Sequence, residues 1–265
     1  SAANRAWINS NRSFAINIPA IVFDDANVDK AVKECVNGAL SYNGQRCTAL
    51  KLIFVHKSVS DEFRAKFTKA VDALALGHPA ADSTLTPLPE RNKVEQMEAY
   101  VDDAVAKGAA VINQNAGRVS DTAFFPAVLY PVTNQMAIFH EEQFGPVVPI
   151  VEYEDLEEVM TSIAASDCGQ QCSLFSDNEL TIAYAVDNMV NQVCRVNINA
   201  SCQRGPDYLP FTGRKDSAVA TLSVHDALRS FSIRTLVATG IDQKELVGNV
   251  ISGGQSTWMT TDYLL

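Results

Sequence analysis

Basic residues are the minority charge in this chain: 21 Lys and Arg stand against 31 Asp and Glu, for a formal charge of −10. A field of that sign repels phosphate backbones and acidic lipid surfaces, so nucleic acid is not expected as a partner. Cysteine is also scarce. The six, at 35, 47, 168, 172, 194 and 202, form no dense paired framework in 265 residues; free thiols in a reducing, intracellular compartment, cytoplasm or organelle, are expected. Cys168 and Cys172 have no matching second pair and no neighbouring histidine, so no metal site is expected. No apolar run approaches the ~18 to 20 residues that cross a bilayer, and the polar start, Ser1 to Arg12, reads as neither signal peptide nor anchor. A glycine-rich strand-turn-helix phrase is missing too: Gly44, Gly108 and Gly169 are isolated, which leaves no dinucleotide cradle of the usual kind.

What is present is an ordinary globular composition, 47% hydrophobic, enough for one large or two small domains. The apolar run Ile16 to Phe23 is followed by Asp24-Asp25-Ala26-Asn27, which supplies capping side chains for a helix. Val28, Ala31, Val32, Cys35, Val36, Ala39 and Leu40 then recur at helical spacing, placing Cys35 in the core, and Gly44 is the expected stop. Ala49 to Val55 reads as a largely buried strand. A second helix capped from Ser58 to Asp61 carries Phe63, Phe67, Val71 and Leu74 inward and ends at Gly77-His78-Pro79, with His78 a turn residue. Further helices are expected at 92–107, 156–165 and 179–190, and strands at 110–112, 147–151, 173–175 and 193–198. Phe124 to Val132, interrupted by two prolines, is expected to be an edge strand and turn. The alternation predicts an α/β class with a mostly parallel sheet covered by helices. Phe231 to Val237 reads as a last strand, and 241–265 as a polar tail with an apolar end, Trp258 to Leu265, that would dock on a partner or on the chain itself.

The most informative phrase is Asn43-Gly44-Gln45-Arg46-Cys47-Thr48-Ala49, where a helix has ended and a strand is about to begin. A thiol on such a turn, beside a basic residue, can face a pocket as a nucleophile; the bland alternative is a small buried thiol. This phrase resembles the active-site signature of the aldehyde dehydrogenase superfamily, in its non-phosphorylating NADP-dependent glyceraldehyde-3-phosphate branch. Three more blocks resemble the same family: Ile18 to Val22 with Asp24 to Ala26, Glu141 to Pro146, and Asn197 to Asn199 followed by Pro210 to Gly213. Cys202 to Asp207 is similar to the glyceraldehyde-3-phosphate branch specifically. The resemblance implies an aldehyde-dehydrogenase catalytic domain over residues 1–230, followed by an oligomerisation strand and an extra tail over 231–265. It implies Cys47 as the nucleophile that forms a thiohemiacetal and then a thioester. It also implies Glu142 and Phe144 at the nicotinamide ribose and ring of NADP or NAD, and Arg204 on the phosphate of a phosphorylated aldehyde. Against these roles stand a solvated glutamate, a core phenylalanine and a surface arginine.

Two departures bear on activity. The family's hydrolytic glutamate lies upstream of the cysteine; Ser13 stands at that position here, and residues 1–33 contain no glutamate. A serine hydroxyl has no useful proton affinity near neutral pH. The following pair of glycines is replaced by Ala15-Ile16. The alternative reading is therefore a catalytically degenerate subunit of the same fold, binding no cofactor by itself and serving a structural role in a larger assembly, either a homo-oligomer or a complex with other proteins.

Overall fold

A computed structural model describes residues 17–221, 223–231, 233, 235–236 and 238–252. Its centre is a seven-stranded sheet built from β1 (Pro19–Val22), β2 (Leu52–His56), β3 (Ala110–Val111), β6 (Ala127–Tyr130), β7 (Val147–Tyr153), β9 (Gln171–Phe175) and β10 (Arg195–Ile198). The order is β10-β9-β1-β2-β7-β6-β3, and all neighbours are parallel except β3 and β6. The remaining strands, β4 (Gly117–Ser120) with β5 (Ala123–Phe125) and β8 (Cys168–Gly169) with β11 (Arg214–Lys215), form two small ribbons.

Alternation along the strands sends side chains to two separate cores. Ala20, Val22, Ile53, Val55, Val148 and Ile150 meet α1 (Val28–Leu40) and α2 (Lys57–Asp72) on one face. On the other, Ile21, Leu52, Phe54, Tyr153, Cys172 and Leu174 meet α5 (Leu156–Ala165) and α6 (Glu179–Met189). A third cluster joins α3 (Arg91–Ala106) to Phe124, Leu129 and Val147. Phe63 and Phe67, stacked with ring centroids 5.4 Å apart and fully buried, anchor α2; each contributes about 1.5 to 3 kcal/mol of burial.

The expected helices and most strands are in place. Asn27 caps α1 by accepting from the Lys30 N–H at 3.0 Å. Asp25 instead receives the Ser176 hydroxyl and the Asp177 N–H. The caps and ends differ elsewhere. α1 stops at Leu40, ahead of Gly44, because Tyr42 and Asn43 turn left-handed at φ 55° and 58°. At α2 the cap is His56, whose Nδ1 accepts from the Ser58 N–H; Ser60 is buried within the helix.

One strand assignment is corrected. Residues 124–132 do not make an edge: β6 is paired on both sides, because Pro126 and Pro131 bracket it and leave its own N–H groups free to pair. β3 is the edge beyond it. For Phe231 to Val237, the described residues carry no strand; Phe231 closes the short helix α7 (Val224–Ser230), and Ile233 and Leu236 are exposed. A strand needs a neighbour to satisfy its backbone, and no described segment of this chain lies beside it as one. Two helices not anticipated, α7 and α8 (Lys244–Ser252), occupy the end of the described chain, with α4 (Ala137–His140) a single turn before β7. Residues Ser13, Ala15 and Ile16 and the Trp258 to Leu265 terminus lie outside the described residues.

Candidate active site

Because β2 and β7 are parallel neighbours, the loops that enter them lie side by side at the amino edge of the sheet. One is the turn 45–51 carrying Cys47; the other is Glu141 to Pro146. Three successive left-handed residues, Tyr42, Asn43 and Gly44 (φ 70°), swing the chain out of α1 into the first loop. Asn43 is buried and pinned to Thr86 by reciprocal bonds, its Nδ2 donating to the Thr86 carbonyl at 3.0 Å and its Oδ1 accepting from the Thr86 N–H at 3.0 Å. The Ala49 N–H closes a turn onto the Arg46 carbonyl, with Cys47 at its crest. Cys47 is exposed there, whereas Cys35 is fully buried in α1. The Cys47 N–H makes no bond to the described backbone, so it is a candidate oxyanion donor.

Lys51, which the sequence reading passed over as part of an apolar strand, is the side chain that joins the two loops. It is 2% exposed. Its Nζ donates to the Gly44 carbonyl at 2.8 Å, lies 3.9 Å from Glu142 Oε1, and sits 4.8 Å from the Phe144 ring centroid. The buried Gln143 donates from Nε2 to the carbonyls of Lys51 (3.0 Å) and Val147 (2.8 Å), fixing the second loop on the first. Phe144 is held at φ 29°, an uncommon backbone region for a side chain of that size. Burial pushes the Lys51 ammonium down to about 8, opposed by Glu142 and by a charge at Cys47, and assisted by Arg46 and Lys93. Next to it, Glu141 accepts from the Tyr100 hydroxyl at 3.1 Å, and burial together with that bond raises the phenol to about 12.

Glu142 and Phe144 are therefore brought against the loop that carries Cys47, Glu142 as a charge partner of the buried Lys51 and Phe144 as a half-buried ring beside it. Arg204 arrives by another route. After β10 the chain doubles back along the sheet: Gln203 O accepts from Gln171 and Arg195, and Gly205 O accepts from Arg195 at 2.7 Å. The Ser201 N–H donates to Glu34 on α1 at 2.8 Å, which lays this loop against the same helix end that receives Arg46 at the Gly38 carbonyl. The Arg204 guanidinium stands 4.7 Å over Phe211 and 3.4 Å from Asp207. Of two cavities, one of 680 Å³ is lined by Tyr42, Asn43 and Thr86 beside the turn and one of 660 Å³ by Phe54, Phe139 and Tyr153, and neither is lined by Cys47. Among the described residues no group of three or more His, Cys, Asp or Glu is placed to hold a metal, and no helix is long and apolar enough to cross a membrane.

The mostly parallel, helix-covered sheet defines an α/β domain, with an exposed cysteine on a braced turn beside a loop bearing a carboxylate and a ring. The chain belongs to the aldehyde dehydrogenase family, whose sequence pattern it matches over residues 16–237. It is 34% identical over 221 residues to the NADP-dependent glyceraldehyde-3-phosphate dehydrogenase of Arabidopsis thaliana, covering 83% of this chain and 43% of that protein. The enzyme of the same description from Streptococcus equinus is 32% identical over 213 residues, 80% of this chain and 44% of that one. The structure of the NADP-dependent glyceraldehyde-3-phosphate dehydrogenase from Bacillus halodurans C-125 in complex with NADP superimposes with a TM-score of 0.78 at 32% identity, covering 86% of this chain and 48% of that one. The chain thus spans less than half the length of the relatives it matches.

Two measurements check this geometry. A Cβ on Gly44 would lie 2.7 Å from the Gly145 carbonyl and 2.8 Å from that of Ala39, at φ 70°. Gly44→Ala should therefore cost at least about 2 kcal/mol in urea unfolding, against about 1 kcal/mol for Gly108→Ala, where only the positive φ is violated; equal costs would contradict the close approach. For Lys51, the folded value lies below the ordinary 10.5, so between about 8 and 10.5 the unfolded chain holds a proton that the folded one has released. Its contribution to stability therefore rises with pH across that window, by on the order of 3 kcal/mol. NMR of 13Cε-labelled lysine should find one resonance titrating near 8 that disappears in Lys51→Met; a Lys51 midpoint at 10 or above would contradict the burial argument.

Proposed function

We infer that the chain is the catalytic portion of an aldehyde-oxidising enzyme with Cys47 as its nucleophile, acting on a phosphorylated aldehyde similar to glyceraldehyde 3-phosphate. The observation that carries this reading is the placement of Cys47, exposed at the crest of a turn braced from both sides and adjoining the Glu142 loop. In that chemistry the Cys47 sulfur adds to the aldehyde carbonyl carbon, and the Cys47 N–H donates to the oxyanion that forms. A nicotinamide dinucleotide, NADP or NAD, supplies the hydride acceptor when bound. Glu142 would accept from its ribose hydroxyls, and the 14% exposure of the Glu142 side chain leaves an edge of the carboxylate for that purpose. Phe144 would back the ring. Arg204, whose guanidinium can fork onto phosphate oxygens, is the residue for the substrate phosphate; its Asp207 contact would have to yield. Relatives named for NADP-dependent glyceraldehyde-3-phosphate oxidation support both assignments.

Release of the acid needs an activated water, and Ser13 supplies no base for it. That substitution favours the second reading, a degenerate subunit that keeps the fold for assembly. Under either reading association is expected. Phe231, Ile233 and Leu236 are 93%, 98% and 89% exposed, an apolar series that a homo-oligomer or another protein subunit would cover. Residues 1–230 would then act as the catalytic domain and 231–265 as the assembly segment. The free thiols suit a reducing, intracellular compartment.

Brief alkylation with mass mapping tests the nucleophile at Cys47. It should label well ahead of Cys35, and the purified 265-residue chain should show no steady aldehyde oxidation with NADP or NAD. Labelling at Cys47 no faster than at Cys35 would remove the nucleophile. Steady turnover would instead remove the argument from Ser13. Sedimentation of the chain with and without residues 231–265 checks association: the intact chain should sediment as the larger assembly, and a monomer in both cases would refute the assembly role.

A further inference from the structure

The buried cation at Lys51 has contacts on both loops, to Gly44, Glu142 and Phe144, and no role in the chemistry described above. We propose that Lys51 is a positioning residue: its ammonium locks the Cys47 turn to the Glu142 loop in one relative placement.

Three observations carry the proposal. The first is loop closure. Lys51 Nζ returns to the Gly44 carbonyl, seven residues back along the chain, so Cys47 sits near the middle of a loop whose two ends are tied by one side chain. The second is the reciprocal tie from the other loop, where Gln143 reaches the Lys51 carbonyl while the Lys51 ammonium faces Glu142 and the Phe144 ring. The two loops are therefore fastened by bonds running in both directions. The third is cost. An ammonium taken out of water is expensive, and an aliphatic side chain would fill the space before β2 without that penalty. A lysine retained there, 2% exposed, acts through its charge.

The charged groups around it sort clearly. Glu142, from the loop before β7, and Cys47, from Lys51's own loop, favour the ammonium; Arg46, next to Cys47, and Lys93, in the first turn of α3, oppose it. Glu141 is already engaged by Tyr100, so Glu142 is the carboxylate left facing Lys51. Removing the lysine should loosen the turn that presents the thiol, and should free Glu142 to turn away from the place where a ribose would meet it. This meaning rests on the proposed roles of Cys47 and Glu142, whereas the loop closure does not.

The test uses the full 265-residue chain and iodoacetamide, with Cys194, the other exposed thiol, as internal reference. The rate ratio Cys47 to Cys194 is measured against pH in wild type, Lys51→Met and Lys51→Arg, with near-UV circular dichroism reporting folding. Lys51→Met, which fills the space but cannot tie Gly44 to the Glu142 loop, should lower the ratio at least about threefold at pH 7. Lys51→Arg, which keeps the charge, should restore the ratio to within about twofold. An unchanged ratio in folded Lys51→Met, or a fall that Lys51→Arg does not restore, overturns the proposal. Should Lys51→Met not fold, Glu142→Gln decides: with the ion pair between the loops gone the ratio should fall at least about twofold, and an unchanged ratio overturns the proposal. A wild-type Cys47 no faster than Cys194 would count against the nucleophile reading alone, since the variant comparison is read the same way in either case.

Discussion

Parallel pairing of β2 with β7 is the constraint on which the site depends. Parallel strands share a direction, so the segments entering them must emerge at one edge, and here those segments are the Cys47 turn and the Glu142 loop. Ligand sites in open α/β sheets usually form at the carboxyl ends of strands, where helix amino termini converge. This one forms at the opposite edge, with no helix dipole behind it. Its positive field has to come from side chains, and Arg46, Lys51 and Lys93 provide it.

Building a site from two abutting loops imposes backbone demands that a helix terminus would not. Gly44 approaches the Gly145 carbonyl so closely that any side chain would collide with it, while Tyr42, Asn43 and Phe144 hold left-handed conformations. Such conformations cost on the order of 1 to 3 kcal/mol each and persist only where neighbours fix them. The fixing bonds are identifiable: Asn43 to Thr86 on one side, Gln143 to Lys51 and Val147 on the other. Rigidity at the thiol is thus gained from buried amides and one buried cation, and the hydrophobic cores beneath both faces of the sheet supply the surplus that tolerates the strain.

Much of this was legible in the sequence. Helical spacing from Val28 to Leu40 placed α1 and sent Cys35 inward, and the helix-to-strand passage at Cys47 gave an exposed thiol. Lys51 was missed because Ala-Leu-Lys-Leu-Ile-Phe-Val reads as one apolar strand with a single polar exception. The signal was there nonetheless: lysine is almost never fully buried without a partner, so one inside an apolar run four residues after the candidate nucleophile is the oddity to follow. The pairing of β6 was not recoverable from its prolines, because bracketing and interrupting prolines look alike until strand ends are known. The segment at 231–237 has strand-like composition, but a ladder is a property of two segments, and the second is not visible in one sequence.

The two functional readings separate at a single chemical step. Nucleophilic addition needs only a positioned thiol and a donor for the oxyanion, and in the proposed reading Cys47 and its N–H would supply both. Hydrolysis needs a base of suitable proton affinity near the acyl carbon, and among the groups facing this edge the carboxylate at Glu142 is committed to Lys51. The lysine is the other titratable candidate, yet its Nζ is engaged by the Gly44 carbonyl. An enzyme so arranged would acylate more readily than it deacylates, so a chain that has lost turnover could still keep a reactive cysteine. Reactivity at Cys47 and completion of the catalytic cycle are therefore separate properties of this fold, and the first can survive as a binding function after the second is gone.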